Sequence, residues 1–339
     1  MGIIGRVSPT VAACLIVKDE QDNLGDCLAS LAGFVDAILV GDTGSSDATV
    51  AVARRAGADV FDVPWTDDFA AARNAVLARC TADWVLAIDA DERLVGDAAA
   101  LRDVLATAHA DAMTVEIEQV GTTDVRGMSV HREVKLFRRG LASWSGRVHE
   151  QLIAHDTAPL TLAEVAPSVL ALRHLGYADP ERALAKARRN ARLARHQLDD
   201  LVASRAADEL MAAAALDLGR SYVGLGSAAE AEDVLALARS RAARGSGTWL
   251  WATDFAVRIA IEHAAYTRAE QLLDELDAVA AAPSYCRWLR AHSAVRQGEP
   301  ERAAQLLDGL TELVDVGGHV LDPAQLDELR RAVAAQLSG

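Results

Sequence analysis

The sequence is poor in the features that would mark several common classes. Its four cysteines, Cys14, Cys27, Cys80 and Cys286, lie far apart, with no CxxC pair and no zinc-ligand spacing. That usage reads as reduced core thiols in a cytoplasmic protein. Positive charge is also short: 34 Lys and Arg against 49 Asp and Glu leave a formal charge of −15. A surface of that sign argues against a nucleic-acid partner and against anionic membranes. No apolar run reaches membrane-spanning length, and residues 1–9 are too short and too weakly apolar for a secretory signal. What remains is a chain of 339 residues, 51% hydrophobic, which is enough for two domains with sizeable cores.

The most informative stretch is Trp84-Val85-Leu86-Ala87-Ile88-Asp89-Ala90-Asp91-Glu92. A continuous apolar run suits a strand covered on both faces, as in a parallel sheet flanked by helices. Ligands in such sheets bind outside the carboxyl ends of the strands, which puts Asp89 and Asp91 at the rim of a cleft. Two residues apart on an extended chain, they are expected on the same side. Such a pair suits Mg²⁺ or Mn²⁺, whose shell is completed by water and phosphate oxygens. An acidic loop or helix N-terminus gives the same composition, so both readings stand at this point.

The rest of the first half repeats one theme. Residues 10–17 read as a strand with the polar exit Lys18-Asp19-Glu20, and 21–31 as a helix with Leu24, Cys27, Leu28 and Leu31 on one face. Residues 36–40 form a second strand, broken at Gly41-Asp42-Thr43-Gly44-Ser45-Ser46-Asp47, where Ser46 or Asp47 caps a helix over 48–56. A strand at 59–63, a helix at 67–80 and the strand at 84–88 follow, then a helix at about 98–109. This alternation means βαβ units and a mostly parallel sheet. Residues 112–120, 129–138, 147–154 and 169–175 alternate more and read as extended, partly antiparallel segments.

From Pro180 onward the pattern is helical, and a composition shift near residue 178 marks a domain boundary, giving domains 1–178 and 179–339. Leu218, Gly219, Tyr222, Gly226, Ala231, Leu235 and Ala238 follow the tetratricopeptide (TPR) spacing, as do Ala269, Leu273, Leu276 and Ala303, Leu307, Leu310. Ala269 and Ala303 stand 34 residues apart, the period of that repeat. The loop Arg244-Gly245-Ser246-Gly247 absorbs a longer first spacing, and the outer helices act as caps. An unrelated helical bundle is the alternative. The basic run Arg182, Lys186, Arg188, Arg189, Arg192, Arg195 reads as the solvated face of a helix, or as a surface holding an acidic ligand.

The segments CLIVKDEQDNLGDCLASL, ILVGDTGSSDATVAVARRAGADVF, PWTDDFAAARNAVL, WVLAIDADE, REVKLFRR, GRVHEQL and HLGY resemble, in order, the family-2 glycosyltransferases of GT-A fold. More closely, they look like the branch with a C-terminal tetratricopeptide-like domain, which includes peptide-glycosylating enzymes. The resemblance implies an α/β GT-A domain, Rossmann-like, followed by an all-α TPR-like domain. It implies a UDP-sugar or related donor with Mn²⁺ or Mg²⁺. By the same resemblance Val17, Lys18 and Glu20 border the nucleoside, and Asp42 contacts the base. Thr43 occupies a position often acidic in relatives outside this branch. Arg73 and Asn74 lie near the diphosphate. Asp89, Ala90 and Asp91 form the DxD motif, with Asp89 and Asp91 as metal ligands. His149 and Glu150 match an acceptor-side motif, and His174 and Tyr177 one near the start of the helical domain.

Sugar transfer from such a donor needs stabilisation of the leaving diphosphate, which a cation and Arg73 supply. It also needs a base for the acceptor hydroxyl or thiol. Glu150 is the candidate base, and direct attack predicts inversion. His149 completes a metal shell or touches the diphosphate. Adjacent strand residues point to opposite faces, so His149 and Glu150 share the site only at a bend or bulge. His131 and His155 read as structural or surface residues. The acceptor is read as a peptide side chain steered by the helical repeats, with carbohydrate or lipid-linked acceptors open. The helical half accommodates a monomer or a homodimer. A nucleotide-binding scaffold is the competing class. A nucleotidyltransferase ranks last, because Lys18-Asp19-Glu20 is not a glycine-rich phosphate loop.

Overall fold

The structure is a computed structural model that describes residues 8–120, 130–175 and 180–338. Tyr177 therefore lies outside the described residues, as do residues 1–7 of the terminal stretch and the first residue of the 129–138 segment. The described residues up to 175 form one compact unit and those from 180 a second.

The first unit begins with β1 (Val11–Val17), α1 (Leu24–Ser30), β2 (Ala37–Asp42), α2 (Thr49–Arg55), β3 (Asp59–Asp62), α3 (Phe69–Leu77) and β4 (Trp84–Ala87). It continues through β5 (Glu92–Gly96), α4 (Ala98–Thr107), β6 (Ala112–Gln119), β7 (Val130–Arg138), β8 (Ala142–Ser145), β9 (Gln151–Ala154), β10 (Leu162–Glu164) and β11 (Leu170–His174). The main sheet runs β3-β2-β1-β4-β7-β6-β11-β5, with β10 added on β6, while β8 and β9 pair separately. Strands β3, β2, β1 and β4 are parallel, and β7 enters antiparallel to both β4 and β6.

The apolar run of β1 explains the layering. Val11, Ala13, Leu15 and Val17 join a core with Leu24, Cys27, Leu28, Leu101 and Leu105. The intervening Ala12 and Cys14 join a second core with Ala72, Val76 and Phe137. Because side chains alternate along a strand, one all-apolar strand serves both helical layers at once. This is the GT-A type of mostly parallel sheet that the ordered segments implied.

Three strands were not expected from sequence. β5 carries only two large apolar residues, and it is made by antiparallel pairing with β11, where His174 lies opposite Glu92. At its end a side chain on Gly96 (φ +147°) would meet the Val169 carbonyl oxygen at 2.2 Å. β8 and β10 are too short to show a period. Of the two residues expected to cap α2, Asp47 does so from one position further out: Ala48 directly precedes the helix, and Asp47 Oδ1 accepts the Thr49 N–H at 2.9 Å.

The second unit contains α5 (Pro180–Ala203), α6 (Asp208–Gly224), α7 (Ala228–Arg241), α8 (Gly247–Glu262), α9 (Tyr266–Asp277), α10 (Pro283–Arg296), α11 (Pro300–Leu307) and α12 (Pro323–Ser338). Helices pack in the pairs α6–α7, α8–α9 and α10–α11. Ala231, Ala269 and Ala303 are fully buried in the second helix of each pair. Gly219 is small for a reason: a Cβ there would stand 2.6 Å from Leu235 Cδ2 on α7. Lys186, Arg188, Arg189 and Arg192 are exposed on α5, as a solvated face requires, and the side chain of Arg182 lies outside those described. All four cysteines are free and buried. Among the described residues no helix is long and apolar enough to cross a membrane.

Candidate functional site

The exits of β1 and β2 are laced together. Thr43 donates from its N–H and its hydroxyl to the Val17 carbonyl, at 2.9 and 3.0 Å. Asp19 Oδ1 accepts the Ser46 N–H at 2.7 Å, and the Glu20 N–H reaches Thr49 Oγ1 at 2.7 Å. Lys18 is exposed and Glu20 half-buried, its Oε2 accepting Asn23 Nδ2 at 2.9 Å. Asp42 is buried and accepts the N–H groups of Gly44 and Ser45 at 3.1–3.2 Å, so its carboxylate shapes the turn that follows β2. Val17, Lys18, Glu20, Asp42 and Thr43 thus stand on adjoining strand exits.

Beside them lies a denser knot of charge. Asp68 caps α3 by accepting the Ala71 N–H, and one turn along the helix Arg73 forks to two carboxylates. Its Nη2 donates to Asp89 Oδ1 at 2.8 Å and its Nε to Glu150 Oε1, with the guanidinium over the Trp144 ring. Burial alone would lower the Arg73 pKa, but the charges of Asp89 and Glu150 outweigh it and hold the group above its ordinary value. Asn74 is occupied elsewhere, exchanging two 2.9 Å hydrogen bonds with the Trp144 backbone.

A second buried cation meets Asp89 from its other oxygen. Lys135 Nζ lies 3.8 Å from Asp89 Oδ2, 2.8 Å from Glu92 Oε1 and 3.6 Å from Glu133. Glu92 in turn accepts the Asp89 N–H at 2.9 Å. Burial would lower the Lys135 pKa, yet Glu92, Asp89 and Glu133 together raise it, so the amine is an ammonium. Neither Lys135 nor Glu92 was singled out from sequence. The available signal was a glutamate closing an apolar strand and a lysine inside the alternating run Glu133-Val134-Lys135-Leu136-Phe137.

The extended geometry expected for Asp89 and Asp91 is corrected. β4 ends at Ala87, and the chain turns so that the Glu92 N–H bonds the Asp89 carbonyl at 3.0 Å. The two carboxylates consequently take different partners. Asp91, buried like Ala90, meets His174 Nε2 at 3.0 Å, while His174 Nδ1 lies 2.6 Å from Gln119 Oε1. The bend that His149 and Glu150 need in order to share a site is present, but it separates them: His149 has φ +53°, in the left-handed region, and is exposed, whereas Glu150 turns inward to Arg73. The non-glycine residues of positive φ in the described part of this unit are Asp19, Asp67 and His149. All three border the elements just described, and such strain concentrates at functional sites. Among the described residues no group of three or more His, Cys, Asp or Glu side chains is gathered for a metal ion. His131 bonds Glu133 and His155 bonds the Gly140 carbonyl, as structural residues do.

A mostly parallel sheet with acidic side chains at its strand exits has the architecture of α/β domains that bind ligands outside the carboxyl ends of their strands. Residues 13–148, within the first unit, match the family described as Glycosyl transferase family 2. A TPR repeat-containing protein of Synechococcus elongatus is 37% identical over 182 residues, covering 51% of this chain and 44% of that protein. The glycosyltransferase SunS of Bacillus subtilis is 34% identical over 89 residues, 25% of this chain and 20% of that one. The chain thus spans less than half the length of these curated relatives. Glucosyl-3-phosphoglycerate synthase of Mycobacterium tuberculosis, solved with Mn²⁺, uridine diphosphate and phosphoglyceric acid, is 23% identical. That likeness covers 33% of this chain and 43% of that one with a TM-score of 0.27.

Proposed function

We propose that the chain is a metal-dependent, inverting glycosyltransferase that moves a sugar from a nucleotide-diphosphate sugar, a UDP-sugar first, to an acceptor hydroxyl or thiol. One observation carries the reading: Arg73 joins Asp89, at the end of a parallel strand, to Glu150, at the bend before β9. Cation, metal-binding carboxylate and base candidate come from three separate elements, at the end of the sheet where ligands bind.

The residues present fit a divalent cation. Among the described residues Asp89, Glu92, Glu133 and Glu150 gather around Arg73 and Lys135, a carboxylate-rich setting of the kind hard cations take. Asp89 and Asp91 offer the hard oxygen donors that such an ion takes, with water and phosphate oxygens to complete its shell. Once bound, such an ion offsets charge developing on the leaving diphosphate. Arg73 and Asn74 shape the wall next to it, and the laced exits of β1 and β2 receive the nucleoside.

The chemical step belongs to Glu150. The acceptor oxygen or sulfur attacks the anomeric carbon from the face opposite the diphosphate, the carbon–oxygen bond to the diphosphate breaks, and the acceptor proton passes to the Glu150 carboxylate. One displacement inverts the anomeric configuration. Arg73 holds one Glu150 oxygen and leaves the other for the proton. The acceptor is a peptide side chain presented by the helical repeats, the surfaces of such arrays being suited to extended chains.

The test is release of nucleoside diphosphate from a panel of nucleotide sugars in Mn²⁺, with a peptide-library acceptor. Wild type releases diphosphate from one donor, and Glu150→Gln retains donor binding but loses transfer by about 10²–10⁴-fold. Binding without turnover, equal in both proteins, would instead mark a nucleotide-binding scaffold.

A further inference from the structure

Lys135 lies where a regular strand would not put it. β7 pairs with β6 as Leu136 opposite Met113 and Val134 opposite Thr114, so Lys135 is the unpaired residue of a β-bulge. The bulge breaks the alternation: Lys135, Leu136 and Phe137 are consecutive and all buried. Bulges occur beside active sites, where they re-aim a single side chain. Here the re-aimed group is a lysine 7% exposed, set among carboxylates.

Its partners form a closed circuit. Glu92, 3% exposed, takes the ammonium on Oε1 and the Asp89 N–H on Oε2. Lys135 then faces Asp89 Oδ2, while Arg73 holds Oδ1. Asp89 is therefore fixed at its backbone and at both carboxylate oxygens. A buried ion pair contributes little stability beyond what an apolar pair of similar volume gives, so fold stability is a poor reason for placing a lysine here.

We infer that Lys135 is a positioning residue for the donor site. Anchored by Glu92, it sets the orientation of the Asp89 carboxylate and thereby the affinity of the site for a metal-bound nucleoside diphosphate. The inference rests on the donor-site reading above and adds residues that act through Asp89 rather than on the sugar.

The test uses the full chain with Lys135→Met and Glu92→Gln combined. Methionine keeps volume, and glutamine keeps an acceptor for the Asp89 N–H. Binding of uridine, guanosine, adenosine and thymidine diphosphates is measured by calorimetry with and without Mn²⁺. For the nucleotide that wild type binds, affinity in Mn²⁺ falls about 10- to 100-fold, the usual effect of removing an outer partner of a metal ligand. Affinity without metal and the melting of the nucleotide-free protein stay at their wild-type values. Where the combined variant does not fold, Glu92→Gln alone, which frees Lys135 from its anchor while leaving the ammonium beside Asp89 and Glu133, carries the same reading. Unchanged affinity in Mn²⁺ overturns the inference, and so does an equal loss with and without metal. If wild type binds none of the four, the donor-site reading fails and takes the inference with it.

Discussion

Arg73 is the residue whose loss the site should feel most. Arg73→Met leaves the Glu150 side chain, 12% exposed, without the guanidinium, and takes from Asp89, 38% exposed, the closer of the two cations Arg73 and Lys135. Breaking a buried pair by removing one partner costs about 3–5 kcal/mol, because a charge is left uncompensated. The solvent around Asp89 screens its share, so the lower end, about 3 kcal/mol, applies. For a unit of this size that is a fall of roughly 6–12 °C in its melting temperature. Adding Glu150→Gln removes the stranded charge and should restore about half the loss. Arg73→Lys keeps the charge but cannot fork to both carboxylates, and should fall between. Calorimetric melting of the four proteins checks this. If Arg73→Met melts within a degree or so of wild type, or the double variant is no better than the single, the buried fork is not the electrostatic centre claimed for it.

Other expectations concern the helical unit. Burial raises Asp217 on α6 to about 7 despite Arg220. The folded state then holds a proton that the unfolded chain has lost, so stability falls as pH rises from about 4 to 7 and is flat above. Asp217→Asn should remove that slope and stabilise the unit at pH 8 by up to about 4 kcal/mol. His292 has the opposite sign. Burial, aided by Arg296, lowers it to about 4, so stability falls as pH drops from about 6.5 to 4, and His292→Gln should flatten that limb of the denaturation profile. Gly219→Ala drives a methyl against Leu235. Overpacking of about 1–3 kcal/mol, less about 1 kcal/mol gained in helix propensity, predicts a net loss of up to about 2 kcal/mol in urea titrations, and the same substitution made in a Leu235→Ala background should carry no such loss.

Much of the fold was legible because the signals were local. The run Val11 to Val17 announced a doubly covered strand, and Ala231, Ala269 and Ala303 announced the helical pairs. What escaped was non-local. β5 exists through β11, a partner about eighty residues away, and its own sequence shows little. The site divides the same way. Asp89, Glu150 and Arg73 stood in readable motifs, and a bend at 149–150 was the condition for His149 and Glu150 to share the site; the bend exists, but only Glu150 turns inward to Arg73 while His149 is exposed. The turn after Ala87 was not, because it is set by the hydrogen bond from Glu92 rather than by a turn residue. Lys135 was invisible for a related reason. A period-two reading puts it on a predictable face, and the bulge that redirects it depends on the register with β6.

The central claim is that the strand exits around Asp89 bind a nucleoside diphosphate with a divalent cation. Thermal shift of wild type and Asp89→Asn, across nucleoside diphosphates with and without Mn²⁺ or Mg²⁺, tests it most directly. A ligand that binds only the folded state adds about 2.7 kcal/mol at a hundredfold excess over its dissociation constant. The account predicts a metal-dependent rise for one nucleotide, lost in Asp89→Asn. No rise with any nucleotide, or an equal rise in both proteins, would contradict it.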